Sequence, residues 1–136
     1  MPFVVDASAA LAWFFADERA PETQALLLRL DTDRAVAPAI WPSEMANAFL
    51  MAERRKRISA ADIAKYLSDL AVLPVRIERA LAPDDMAAVI DLARRHTLST
   101  YDASYLDIAL RLKLPLATRD AGLAAAAAAL GLKKPL

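Results

Sequence analysis

Four acidic residues, Asp6, Glu44, Asp102 and Asp120, stand where apolar runs give way to a turn or a helix start. If a fold gathered them into one pocket, their mutual repulsion would call for a hard divalent cation, and all-oxygen donors suit magnesium or manganese. An ion held that way supports chemistry on phosphate esters. Each acid also has an ordinary structural role open to it. Asp6 and Asp120 can cap helix N-termini, Glu44 lies in a first helical turn favoured by the macrodipole, and Asp102 follows Ser99 at capping-box spacing.

Other chemistries are excluded by composition. The chain of 136 residues has no cysteine, which removes disulfides, thiolate metal sites and cysteine nucleophiles. His96 is its only histidine, so a zinc site with two histidines cannot be built. With two glycines there is no phosphate-binding glycine loop and no dinucleotide fingerprint. Seventeen basic and seventeen acidic side chains cancel, so a nucleic acid would be held by a local patch and not by the global field. Hydrophobic residues make up 57%, much of it alanine, yet no apolar stretch reaches the roughly 20 residues of a membrane span. The expectation is one soluble, intracellular (cytoplasmic) domain over residues 1–136.

The elements that would position the acids read as alternating strands and helices. Phe3-Val4-Val5 is a β-prone run stopping at Asp6, and Ser8 to Phe15 reads as a buried helix. Pro21 opens a second helix, Ala35–Ala37 is a second strand, and Pro42 suits the first turn of a helix ending in the basic run Arg54 to Arg57. Ser59 and Asp62 form a capping box for a helix to about Val72, and Pro74 to Ile77 follows as a third strand. Helices from Pro83 to Arg95 and from Ser99 to about Arg111 precede a short strand, Leu114 to Ala117, and an alanine-rich helix between Asp120 and Gly131. Pro135 argues against a further strand at the end. Strands separated by helices imply a parallel sheet covered on both faces, a three-layer α/β/α sandwich, with its ligand site beyond the carboxyl ends of the strands. Asp107 is rotated well away from Asp102 on its helix and reads as a surface or supporting group.

The segments Val4-Val-Asp6-Ala-Ser8-Ala-Ala, Pro42-Ser-Glu44-Met-Ala-Asn47, Leu98-Ser-Thr100-Tyr-Asp102-Ala-Ser-Tyr105 and Leu116-Ala-Thr118-Arg-Asp120 occur in the order and spacing of PIN-domain ribonucleases. Over nearly the whole chain the sequence resembles the VapC-type toxins of bacterial toxin–antitoxin pairs. The resemblance implies a magnesium- or manganese-dependent endoribonuclease with a PIN-like fold. It also implies homodimerisation and inhibition by a cognate VapB-like antitoxin. Carried over by motif, Asp6, Glu44, Asp102 and Asp120 form the acidic quartet, with Ser8 and Thr100 as supporting hydroxyls. Asp6 and Asp102 would be primary metal ligands, Glu44 would hold the ion directly or through water, and Asp120 would orient water or a second ion. The apolar surface expected to pair two copies includes Trp13, Phe14, Phe15, Leu67 and Leu70.

Rival readings are weaker on the same residues. A receiver-like metal-binding regulatory module would need paired acids after the first strand and a lysine after a late one, where this chain has a lone Asp6 and Arg119. A haloacid-dehalogenase-like phosphatase would need an aspartate at position 8, which is Ser8. A noncatalytic relative of the same fold is separated only by an activity test.

Overall fold

The computed structural model describes residues 1–136. Four short strands, β1 (Phe3–Val5), β2 (Ala35–Ala37), β3 (Val75–Ile77) and β4 (Leu116–Ala117), form one sheet in the order β3-β2-β1-β4 with every pair parallel. Parallel neighbours need crossover connections, and helices supply them. α1 (Ala7–Leu11) and α2 (Pro21–Arg29) join β1 to β2, and α3 (Trp41–Arg54) and α4 (Ala60–Val72) join β2 to β3. α5 (Pro83–His96) and α6 (Thr100–Leu112) lead to β4, and α7 (Ala121–Ala129) follows it. The expected PIN-like sandwich is therefore the observed fold, with β1 and β2 buried along their full length.

The chain moves outward from β1 through β2 to β3 and then returns to place β4 on the other side of β1. This reversal puts the topological switch point between β1 and β4, the place where open parallel sheets bind ligands. Asp6 follows β1, and Thr118 to Asp120 follow β4.

The local signals explain most element limits. Ser59 and Asp62 make both reciprocal bonds of a capping box, Ser59 Oγ accepting from Asp62 N at 3.1 Å and Asp62 Oδ2 accepting from Ser59 N at 2.9 Å. The expected helix from Ser8 to Phe15 is shorter, closing at Leu11 with turns through Phe14. Three consecutive aromatic residues would fan over roughly 200° of a helix surface, so burying all three requires the chain to leave the helix. Trp13 turns to donate its indole N–H to Thr23 O at 2.9 Å, while Phe14 and Phe15 pack on Phe49 and Tyr66 with centroids 5.5–6.3 Å apart.

That packing corrects the surface assigned to pairing. Trp13, Phe14 and Phe15 belong to the core and are at most 9% exposed, whereas Leu67 is 50% and Val72 is 81% exposed. α4 has no buried residue and is anchored mainly by half-buried side chains such as Tyr66. The terminal segment forms no strand, as Pro135 implied, although Lys133 O accepts a backbone bond from Leu116 N at 3.2 Å on the free side of β4. No helix is long and apolar enough to cross a membrane.

Candidate active site at the strand ends

Asp6 is the most deeply held of the four acids, at 5% exposed. Its Oδ1 caps α1 by accepting from Ala9 N at 2.9 Å and also accepts from Ser8 Oγ at 2.7 Å; its Oδ2 accepts from Thr118 Oγ1. Thr118 Oγ1 in turn accepts from Asp120 N at 3.0 Å, and Ser8 Oγ accepts from Arg119 N at 2.8 Å. Two hydroxyls thus tie the β1 and β4 ends together across the switch point. Asp120, exposed, caps α7 by accepting from Leu123 N at 2.8 Å. Both caps anticipated from spacing are made.

Glu44 projects from the first turn of α3 and accepts a hydrogen bond from the hydroxyl of Tyr105, a buried residue of α6. Asp102 lies one turn earlier on α6, its backbone N–H bound by the capping Ser99 hydroxyl at 3.1 Å. Burial raises the Asp6 carboxyl above its ordinary range against hydrogen bonds from Thr118, Ala9 and Ser8 that pull it down, and the charge of Asp102 adds to the rise. Burial likewise raises Glu44, opposed by the Tyr105 bond and reinforced by Asp102 and Asp6. Asp102 is raised by burial and then by Asp120. The Tyr105 phenol is driven strongly upward by burial and by its bond to Glu44, so it stays a donor.

These mutual effects place the four expected acids in one electrostatic neighbourhood. None of them forms a salt bridge with a lysine or arginine. No three of them stand close enough to make a ready cage for an ion. The donor set nonetheless fits a hard divalent cation in kind. It is all carboxylate oxygen, its negative charge is uncompensated, and the Asp6 oxygens accept three donors where a carboxylate has about four lone-pair sites.

Other residues fall outside this neighbourhood or enter it unexpectedly. Ser8 is in the network, while Thr100 is exposed at the start of α6 and makes no side-chain bond to the acids. Thr118 and Tyr105 were not among the expected site residues, although both lie inside or at the edge of the quoted motifs. Asp107 is not on the surface: it is 8% exposed and paired with Arg111 Nε at 3.0 Å. In the basic run, Arg57 binds Asp17 and Glu18 at 3.0 and 3.2 Å and covers the Phe15 ring at 4.7 Å, which gives it a structural employment. His96 is the last residue of α5.

Tyr105→Phe keeps the ring and removes the donor to Glu44. We expect a loss of about 1.5–3 kcal/mol, the usual worth of a hydrogen bond to a charged group, measured by urea unfolding at neutral pH. Stability equal to wild type would show that the bond contributes nothing.

An all-parallel sheet covered by helices, with Asp6 and Asp120 just past the two strands that flank its switch point, defines an α/β protein with carboxylates at its strand ends. Residues 3–129 match the PIN domain model, and the chain belongs to the PIN-domain family. The fold of this family is generally that of a nuclease, typically dependent on a divalent metal. Among solved structures the chain is similar to PAE2754 from Pyrobaculum aerophilum, with 24% identity and a TM-score of 0.69 over 93% of this chain and 84% of that one. At that identity the likeness speaks for the fold. No curated protein sequence matches the chain.

Proposed function

We propose that this single-domain PIN protein is a magnesium- or manganese-dependent endoribonuclease and the toxin of a toxin–antitoxin pair, acting in the cytoplasm on RNA phosphodiester bonds. The observation that supports this reading is that Asp6, Glu44 and Asp102 have carboxyl pKa values raised by burial, with Asp102 adding to the rise at Asp6 and Glu44, Asp6 to that at Glu44 and Asp120 to that at Asp102, and no lysine or arginine paired with any of the four. Such a site is poised to take a cation from solution. When bound, a divalent ion there would polarise the scissile phosphate and lower the pKa of water.

The chain's own residues set up that chemistry. Ser8 and Thr118 fix the Asp6 carboxylate, Tyr105 fixes Glu44, and the Ser99 cap fixes the first turn that carries Asp102. In this reading Asp6 and Asp102 would be the primary ligands, Glu44 a direct or water-mediated one, and Asp120 the group that orients water or a second ion. The test is incubation of purified protein with single-stranded RNA. Cleavage is expected with magnesium or manganese and none with chelator. Full cleavage in chelator would overturn the metal role, and no cleavage with any divalent ion would leave a noncatalytic metal-binding module.

We further infer a homodimer, since Leu67, Val72 and Met86 leave 46–81% of their surfaces exposed on α4 and α5. Light scattering at tens of micromolar, a concentration that captures affinities in the micromolar range, should give twice the 14.8 kDa chain mass; a monomer at that concentration refutes it. The antitoxin is expected to block the acidic site with a basic side chain that takes the place of the cation. Added magnesium should then weaken the complex, and a complex indifferent to magnesium would exclude this mode of inhibition.

A further inference from the structure

The turn after β2, the segment after β3 and one face of α6 enclose a cleft of about 240 Å³. On α6 it is lined by Thr100, Tyr101, Ser104, Asp107, Ile108 and Arg111, mostly a stripe of three- and four-residue steps. Its other wall includes Pro38 and Ile40, which lead directly into the helix carrying Glu44. The cleft therefore begins at the first turn of α6, which carries Asp102, and runs along the helix, Arg111 lying roughly 14 Å from Asp102 at 1.5 Å per residue.

Two features of this cleft are unexplained by folding alone. Tyr101, adjacent in sequence to Asp102, is 62% exposed and presents its ring to solvent in the first turn. Asp107, buried inside α6, holds Arg111 through Nε, which leaves both terminal amino groups of the guanidinium free to meet another anion. A buried acid spent on aiming an arginine into a cleft is a positioning device, because the fork geometry of arginine suits phosphate. Arg79 stands on the facing wall, 3.2 Å from Asp85 and 70% exposed.

Resting on the nuclease reading above, we propose that this cleft is a subsite for the single-stranded RNA flanking the cleaved bond, with Tyr101 stacking on a base and Arg111 holding a backbone phosphate. An exposed ring offers a sequence-tolerant platform, since every base has a π-face. The cleft is smaller than the roughly 300–1,000 Å³ of ordinary small-molecule pockets and open along one side, which suits a splayed nucleotide. Bases inside a duplex are already stacked, so the device discriminates single strands from double strands.

The experiment measures binding of fluorescein-labelled single-stranded and duplex RNA of mixed sequence by anisotropy. The protein carries Asp102→Asn, expected to suppress cleavage, and intact RNA is checked on a gel after each titration in the presence of manganese. Adding Tyr101→Ala should weaken single-strand binding about tenfold or more and leave duplex binding unchanged, whereas Tyr101→Phe should bind as the parent does. Arg111→Gln keeps a donor for Asp107 and removes the charge, so the salt dependence should fall by about one phosphate contact. Unaltered single-strand affinity in Tyr101→Ala, or an equal loss on duplex, overturns the subsite even if the wild-type chain cleaves RNA. A wild-type chain that neither binds nor cleaves RNA removes the nuclease reading itself, and the subsite with it.

Discussion

Asp6→Asn and Asp102→Asn are each expected to lower metal-dependent RNA cleavage about a thousandfold or more, because Lewis-acid stabilisation is worth several kcal/mol and each ~1.4 kcal/mol is a factor of ten. The fold should survive both changes. Asparagine is as good an N-cap as aspartate, so the bond from Ala9 N to residue 6 can persist. With the amide oxygen in the Oδ1 position the Ser8 hydroxyl goes on donating to it, and the Thr118 hydroxyl, which accepts as well as donates, can reverse its bond toward the amide nitrogen. Asp6→Ala separates the roles: it removes the cap, at a cost of about 1 kcal/mol, and strands both hydroxyls. Cleavage assays run beside thermal melts make the comparison. Wild-type cleavage by either asparagine variant would leave capping as the whole role of that carboxylate.

The second large effect is on stability. In the metal-free protein, burial and mutual repulsion raise Asp6, Glu44 and Asp102 above their ordinary carboxyl range. The native state then binds protons more tightly than the unfolded chain in the window between those ordinary values and the raised ones, so stability falls as pH climbs through it. Divalent ion should reverse this loss at neutral pH. At a hundred times its dissociation constant it stabilises by about 2.7 kcal/mol, a rise in Tm on the order of 10 °C for a chain of this size. Asp6→Asn removes one charge outright. In chelator it should melt above wild type at pH 7, with the gap closing as pH is lowered toward the ordinary aspartate value of 3.8. A variant gap that is constant with pH, or a Tm indifferent to manganese, would show that the acids are not coupled in this way.

Much of the site was legible because its carboxylates are also local structural signals. Asp6 and Asp120 end apolar runs and begin helices, and a cap of that kind is visible in sequence whatever else it does. Strand order and the switch point follow less directly, since the two- and three-residue strands carry almost no periodicity and only the intervening helices reveal that the sheet is parallel. Tyr105 and Thr118 were hidden for a different reason. A hydroxyl acquires its role from an acceptor 61 or 112 residues away, and nothing local marks it. Asp107 misled in the same sense, because its helical rotation away from Asp102 is real but points it into the α6 cleft and onto Arg111, not into solvent. The ends of α5 and α6 lack the usual glycine; Thr97 and Lys113 take the left-handed conformation themselves, at φ of 55° and 56°.

We propose that Asp6 and Asp102 are the primary ligands of a divalent ion and that Glu44 and Asp120 contribute to the same site. Isothermal titration of manganese into the wild-type chain and into Asp6→Asn, Glu44→Gln, Asp102→Asn and Asp120→Asn tests it without recourse to any substrate. The account predicts saturable binding by wild type and weaker binding by every variant, with the greatest losses at Asp6 and Asp102. Manganese binding that is absent from wild type, or unchanged when Asp6 and Asp102 are replaced, would contradict it.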